Sequence, residues 1–449
     1  MTLFGTDGIR GPANKGSMTA ETMLQVGKAL GQRIYQTRKN GRPKVIIGKD
    51  TRLSGYIFEF ALTSGLCSVG CDVLLVGPMP TPAVAHLTKS FAADAGIVIS
   101  ASHNTFTDNG IKVFNADGFK LSREEEGQIE ALVKAGPIAS SYVTGADIGK
   151  AFRINDAAGR YIEFAKASIA SRSLKGIKLV IDCANGAAYQ IASTVFSELG
   201  AQVTLLANRP DGLNINNGCG ALHPELVTKA VLEQKADCGI AFDGDADRVI
   251  MVDEKGALVN GDHMLLILAR YLLAKDLLEK NTVVATVMSN LGLERALVKE
   301  GITLVRTDVG DKFVAEELAR SGATLGGEQS GHIIVGNYCT TGDGIIGALQ
   351  ILRVMAEQQA SLSTLVAQSG YTEVPQVLRN VSVARRVALE TIPALQEAIG
   401  QAEREVQGRV LLRYSGTENL LRILVEGPDK RAIVKAAKQL EQIALKVLA

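Results

Sequence analysis

The stretch Ala236-Asp-Cys-Gly-Ile-Ala-Phe-Asp-Gly-Asp-Ala-Asp-Arg248 decides how this chain is read. A short apolar run, Cys238 to Phe242, passes directly into a loop with aspartates at alternate positions, Asp243, Asp245 and Asp247. An apolar run of that length suits a buried strand. In an extended loop, a two-residue period would point all three carboxylates the same way. Two other stretches share the outline: ADAGIVISASHN, closing at Asn104, and SGATLGGEQSGH, closing at His332.

Working outward, each of the three is the last of three strand-like runs. Lys44 to Gly48 and Cys71 to Val76 precede Gly96 to Ile99; Lys178 to Ile181 and Gln202 to Leu206 precede Cys238 to Phe242; Thr282 to Thr286 and Ile302 to Val305 precede Ala323 to Leu325. Helix-like patterns lie between them. Short strands alternating with helices predict α/β units, whose ligands gather beyond the carboxyl ends of the strands, so three such ends can face one cleft. Chance similarity among α/β segments is the competing explanation. After Gly370 the pattern breaks at Tyr371-Thr-Glu-Val-Pro375. Runs at Val381 to Val383, Arg409 to Arg413 and Leu421 to Val425, with two helical stretches, then read as a smaller α+β unit.

The expected fold is therefore α/β: three similar mixed-sheet domains at 1–150, 151–255 and 256–368, plus a C-terminal α+β domain at 369–449, around a central cleft. A length of 449 residues agrees, since one core serves about 100–200 residues. With 48 Lys and Arg against 47 Asp and Glu, no global field steers the protein to nucleic acid or an anionic membrane. Aromatics at 5% with no Trp leave few stacking platforms for single strands. The most apolar helical stretch, His263 to Lys280, is interrupted by Arg270, Lys275 and Asp276, so no membrane span is expected. The start Met1-Thr-Leu-Phe lacks a basic and then apolar leader, and the six cysteines show neither C-x-x-C nor zinc spacing. A cytoplasmic protein with buried thiols follows as the expectation.

Three carboxylates as close as those of Asp243, Asp245 and Asp247 call for a hard divalent cation, and oxygen-only ligands favour Mg²⁺ over zinc. A solvated acidic turn is the alternative. A calcium loop fails, because Arg248 stands where the turn needs Gly and strands flank it instead of helices. Ser102 follows the strand GIVIS. A lone serine there is usually a turn residue. The G-x-S-x-G elbow is absent and His103 is poorly placed as its base, which disfavours acyl chemistry. A phosphorylated Ser102 would instead offer the cation an oxygen. The loop Arg413-Tyr-Ser-Gly-Thr-Glu418, with Arg422 beyond it, can present N–H groups and guanidinium forks to a phosphate, or be a turn with a salt bridge. Gly342-Asp-Gly-Ile-Ile-Gly347 matches a dinucleotide fingerprint only formally and reads as a helix start, and no Walker A sequence is present.

Together these segments resemble the α-D-phosphohexomutase family over essentially the whole chain, in order and spacing: Ser100 to Asn104, Asp243 to Arg248, Gly327 to His332 and Arg413 to Glu418. The opening Phe4 to Gly11, Gln329 and Arg306 to Val314 are similar to its branch acting on glucosamine phosphates. The resemblance implies Ser102 as phosphoryl carrier, with Ser102, Asp243, Asp245 and Asp247 holding one Mg²⁺ per chain. It implies Glu328 and Ser330 on the sugar hydroxyls, and Arg413, Ser415, Gly416, Thr417 and Arg422 on the phosphate that is not reacting. Arg10, Lys112, Arg248 and His332 are candidates for proton handling and charge stabilisation, with the base left open.

The implied activity is isomerisation of hexosamine phosphates feeding amino-sugar nucleotide and peptidoglycan precursor synthesis. The implied activator is glucosamine 1,6-bisphosphate or glucose 1,6-bisphosphate. The partners are small-molecule sugar phosphates, with a homodimer allowed. Thr105, Tyr414 and Asn419 depart from prolines common in the family, which bears on loop rigidity and removes no charge or hydroxyl. Turnover of glucose or mannose phosphates, a noncatalytic sugar-phosphate sensor and an NAD-dependent oxidoreductase are the rival readings.

Overall fold

The computed structural model describes residues 3–5, 7–38, 41–136, 142–414 and 420–448. The first sheet holds β1 (Ile9–Pro12), β2 (Lys44–Lys49), β3 (Asp72–Pro78), β4 (Ala95–Ile99), β5 (Asp108–Asn115) and β6 (Ala151–Arg153), in the order β1-β5-β4-β2-β3-β6. The second holds β7 (Lys178–Asp182), β8 (Gln202–Leu206), β9 (Cys238–Phe242), β10 (Val249–Asp253) and β11 (Leu258–Val259), in the order β11-β10-β9-β7-β8. The third, β12 (Thr282–Thr286), β13 (Thr303–Thr307), β14 (Leu325–Gly327) and β15 (Ile333–Val335), runs β13-β12-β14-β15.

The three sheets repeat one plan. β5-β4-β2-β3, β10-β9-β7-β8 and β15-β14-β12-β13 each have an antiparallel first pair followed by two parallel pairs. Chance similarity does not produce the same strand order and the same directions three times. The parallel strands are buried apolar runs, as a sheet covered by helices requires. β6 lies just beyond residue 150 and β11 just beyond 255, each at the edge of the sheet before it.

One feature differs from the sequence expectation. The polar loops do not simply end their strands: each turns back at once into an antiparallel neighbour, β5, β10 or β15. They are hairpin connections of a few residues, so their side chains hang from two paired strands and not from one. β16 (Gln376–Ser382), β17 (Arg409–Tyr414) and β18 (Leu420–Glu426) form the C-terminal antiparallel sheet, ordered β16-β18-β17.

One hydrophobic cluster runs through the first three domains, joining Ile46 and Val98 to Phe242 and Leu349. The C-terminal sheet packs its helices over a separate cluster around Leu421, Ile423 and Leu440. All six thiols are free and five are buried, with burial pushing Cys71 up to about 12. Gly342 to Gly347 opens the helix Gly344–Gln358, whose N-cap Asp343 accepts from Ile346 N at 2.9 Å, as the sequence suggested. Among the described residues no helix is long and apolar enough to cross a membrane.

Candidate active site

Ser102 sits in the hairpin loop between β4 and β5, and its Oγ donates to Asp243 Oδ2 at 2.6 Å. The serine loop and the aspartate loop of two successive domains therefore meet. The aspartate loop is not extended, as alternation had suggested: Ala246 N donates to Asp243 O at 3.0 Å and Ala246 takes a φ of 54°. A tight turn converges the carboxylates that an extended strand would have aligned in a row. Asp243, Asp245 and Asp247 are 3% exposed or less, and each offers an oxygen within 4.8 Å of the other two.

Asp245 Oδ1 and Asp247 Oδ1 are buried without a hydrogen-bond partner. Burial, with Asp247 and Asp245 beside it, pushes the Asp243 carboxyl well above the usual carboxylate range. Uncommitted carboxylate oxygens in a water-poor turn, all hard donors, are what an oxygen-seeking divalent cation takes, and such an ion would relieve that repulsion. The donor set fits Mg²⁺ better than a soft metal.

Register places the next charge. Val98 pairs with Lys112 across the β4–β5 ladder, which sends the lysine toward the second domain. Lys112 Nζ donates to Asp245 Oδ2 at 2.9 Å and to Asp247 Oδ2 at 3.0 Å, and lies 3.7 Å from Asp7 Oδ2. Burial opposes its charge, yet Asp245, Asp247 and Asp7 hold its proton well above the ordinary lysine range. Asp7 also pairs with Arg10 and with Lys120, and Lys120 pairs with Asp311. Asp311 Oδ2 is 3.4 Å from His332 Nε2, and His332 Nδ1 is 3.9 Å from Asp247 Oδ2. Signs thus alternate through three domains, from the aspartate loop to Lys112, Asp7, Lys120 and Asp311, with the His332 ring lying between Asp311 and Asp247. Removing Lys112, whose partners Asp245 and Asp247 are buried with it, costs about 3–5 kcal/mol, because charges are left alone in low dielectric.

Arg248 Nη1 lies 3.1 Å from His103 Nδ1, and its Nε is buried without a hydrogen bond, 4.0 Å from Asp247 Oδ1. Burial, helped by Arg248 and Arg10, lowers His103 to about 4, so it is neutral beside the serine. In the loop from Gly327 to His332, Ser330 Oγ donates to Glu328 Oε2 at 3.2 Å, and Gly310 N donates to Glu328 Oε1 at 3.3 Å. Gly331 (φ 92°) lets this loop press on the second domain: a Cβ there would collide with the Val249 carbonyl, and Val249 N donates to Gly331 O at 3.0 Å.

Arg413 and Arg422 face each other across the β17–β18 ladder. Burial and Arg422 lower the Arg413 pKa, while Asp308 raises it. Like charges directly opposite on a sheet are destabilising unless an anion joins them. Ser415, Gly416 and Thr417 lie outside the described residues.

The structure thus brings together Ser102, Asp243, Asp245, Asp247, Lys112, Arg10, Arg248 and His332, with Glu328 and Ser330 adjoining. Sequence reasoning missed Asp7, Lys120 and Asp311. Asp7 and Asp311 lay within quoted segments, Phe4 to Gly11 and Arg306 to Val314, but nothing in a single sequence pairs them with a lysine more than a hundred residues away.

This constellation on three repeated α/β units and a small fourth domain defines a phosphohexomutase, an intramolecular phosphotransferase of the isomerase class. Models of phosphoglucomutase/phosphomannomutase α/β/α domains I, II and III match residues 1–138, 159–256 and 260–371, and that of the C-terminal domain matches 378–443. The chain belongs to the phosphoglucomutase/phosphomannomutase family. It is 53% identical over 447 residues to phosphoglucosamine mutase of Geotalea daltonii, covering 99% of this chain and 98% of that one. Its fold is similar to a phosphoglucomutase/phosphomannomutase family protein of Burkholderia thailandensis, at TM-score 0.82, 24% identity and coverage of 100% and 97%. It is also similar to Aspergillus fumigatus N-acetylphosphoglucosamine mutase, solved with GlcNAc-6P and magnesium, at TM-score 0.70, 17% identity and coverage of 100% and 96%.

Proposed function

We propose that this protein interconverts glucosamine 6-phosphate and glucosamine 1-phosphate through a phosphoserine at Ser102 and a 1,6-bisphosphate intermediate. The observation that carries the reading is Ser102 Oγ at 2.6 Å from Asp243, inside an aspartate turn with two uncommitted buried oxygens. The substrate assignment rests on relatives about half identical over nearly the whole chain that bear the name phosphoglucosamine mutase.

In this reading Asp243, Asp245, Asp247 and Ser102 would hold one Mg²⁺, which would supply charge neutralisation for the transferring phosphoryl group. A sugar hydroxyl attacks the phosphorus on Ser102; the P–Oγ bond breaks, the new P–O bond forms, and the hydroxyl proton passes to a cleft base. The bisphosphate turns over, and Ser102 Oγ attacks the opposite phosphorus; that sugar O–P bond breaks, the freed sugar oxygen takes back the proton from the cleft base, and the first oxygen keeps its phosphoryl group. Lys112, held protonated by three carboxylates, supplies positive charge, as do Arg10 and Arg248. His332 Nε2 accepts from Gly342 N at 2.8 Å, which directs its remaining ring nitrogen toward Asp247. Glu328 and Ser330 orient the sugar, and the facing Arg413 and Arg422, with Ser415, Gly416 and Thr417, hold the distal phosphate. A hinge after Gly370 lets the fourth domain release and regrip it.

The reading carries with it glucosamine or glucose 1,6-bisphosphate as activator, a cytoplasmic location, a role in amino-sugar nucleotide and cell-wall precursor synthesis, and a homodimer testable by sedimentation.

The test is phosphorus NMR of the purified protein with Mg²⁺, catalytic glucose 1,6-bisphosphate and, in parallel, the 6-phosphates of glucosamine, glucose and mannose. Glucosamine 1-phosphate should form fastest, with phosphate on the Ser102 peptide. A glucose or mannose preference would replace the substrate assignment, and no 1-phosphate from any sugar would end the mutase reading.

A further inference from the structure

Ser102 has a φ of 51°, in the left-handed region that a residue with a Cβ enters only at an energetic cost. Such a conformation persists only where its surroundings over-determine it. Here they do so through one side chain not yet discussed. Arg52, just past the carboxyl end of β2, is fully buried, and its guanidinium is spent on the serine loop. Its Nη2 donates to Ser102 O at 3.0 Å and to Asn104 O at 2.8 Å, and its Nη1 donates to Thr105 O and, at 3.1 Å, to Asp108 O. Its Nε is fixed by Asp50 Oδ2 at 2.7 Å, and the same oxygen takes the Ser100 hydroxyl at 2.6 Å. Ser100 Oγ in turn accepts from Ser102 N at 2.9 Å. The peptide groups before and after the serine side chain are thus both tied to one carboxylate–guanidinium unit.

The second domain closes this arrangement. Asn216 Nδ2 donates at 2.9 Å to each of the two carbonyls that Arg52 Nη2 holds, those of Ser102 and Asn104. Asn216 is itself fixed in a left-handed conformation, φ 57°, with its N–H on Ala184 O at 2.9 Å. Behind them runs the aspartate loop: a Cβ on Gly244 would come within 2.6 Å of Ser102 O and 2.8 Å of Asn216 Nδ2. The carbonyl face of Ser102 is thereby seated on the backbone of the turn whose carboxylates meet its Oγ.

We propose that Arg52 and Asn216 are positioning residues for phosphoryl transfer: they hold Ser102 left-handed and aim its Oγ at the aspartate turn, Arg52 from within the domain and Asn216 across the domain junction. Neither touches the proposed substrate. The inference rests on the mutase reading. Arg52 is suited to the task because a planar fork reaches several carbonyls at fixed angles, which an ammonium point charge does not. Misaiming the oxygen by a fraction of an ångström lowers the transfer rate without altering how the sugar is gripped.

The experiment compares Arg52→Lys and Asn216→Ala with the wild type, each first phosphorylated with glucose 1,6-bisphosphate. It measures single-turnover transfer from Ser102 to the sugar phosphate, steady-state KM, the Mg²⁺ dependence and Tm. Transfer should fall tenfold or more in Arg52→Lys and about fivefold in Asn216→Ala, with KM within about threefold and half-maximal Mg²⁺ unchanged. Folded variants that transfer at the wild-type rate, or whose loss lies wholly in KM, overturn the inference and leave the mutase reading standing. A wild-type chain that takes no phosphate on Ser102 overturns that reading and this inference with it. Should Arg52→Lys fail to fold, Asn216→Ala decides alone.

Discussion

Where the first two domains meet, Arg52, Thr81, Lys112 and Asn216 are all less than one-tenth exposed and reach the serine or aspartate loop directly, Thr81 by donating to Asp245 Oδ2 at 2.6 Å. Where the third meets the fourth, a few side chains reach the backbone of the facing segment. Asn290 exchanges two bonds of 2.9 Å with the backbone of Val374, Leu291 N donates to Glu426 Oε1 at 3.0 Å, and Arg409 reaches Ser289 O at 3.1 Å. The first junction lies over a hydrophobic cluster common to three domains, whereas the fourth domain keeps its own. The contrast separates two demands. Phosphoryl transfer needs oxygen atoms placed to a fraction of an ångström, while a grip on two different phosphates in turn needs a body that can be displaced without unpacking the rest.

Breaking the first junction at its centre gives the largest effect. Ser102→Ala removes the attacking oxygen and should lower turnover at least a thousandfold, with Tm within a few degrees of wild type, measured by coupled assay and thermal melt. Next is the alternating row of charges: Lys120→Met takes the lysine from Asp311 and leaves Asp7 with Arg10 and Lys112 alone, and should cost about 3 kcal/mol in the first unfolding transition in urea. A loss under 1 kcal/mol would mean that the row does not bind the domains together.

At the second junction, Glu426→Gln weakens the pair between the buried Glu426 and the half-buried Arg409 and should cost about 1–3 kcal/mol, raising KM severalfold with kcat nearly unchanged. A loss confined to kcat would erase the contrast drawn here. The smallest effect is a pH dependence. His86 stacks on Phe164 of the second domain at 3.7 Å, and burial together with Lys89 lowers it to about 4. The unfolded chain, with histidine near 6.5, takes up the proton first, so this contribution is present above about pH 6.5 and is lost as pH falls toward 4. After allowance for solvent screening, lowering the pH from 7 to 5 should cost roughly 1 kcal/mol. His86→Gln should flatten that slope in melts across the range.

Most parallel strands were legible because they are apolar runs of four to six residues between turn signals, and β8, β9 and β12 begin and end where the pattern places them, whereas the run expected at Ala323 to Leu325 is β14 at Leu325–Gly327 and the short exposed β6 carries no apolar run. The partners β5, β10 and β15 were not. Val249–Asp253 and Ile333–Val335 are as apolar as any, but each follows a polar loop so closely that the loop reads as an ending. Ser102, the three aspartates and Lys112 were legible through spacing or resemblance. Arg52 and Asn216 were not, since a buried arginine and a lone asparagine carry no local pattern. The carboxyl end of β2, where Arg52 lies, was nonetheless a place to look.

The alternating charges have a consequence for how this molecule can be taken apart. Lys112 and Lys120 belong to the first domain, yet the carboxylates of Asp245 and Asp247 come from the second and that of Asp311 from the third. A first domain expressed alone would leave two ammonium groups sharing Asp7. The three sheets look interchangeable, but neutrality is a property of the assembled trio. Grafting one repeat from a relative would therefore succeed only if its ionic counterparts were transplanted along with it.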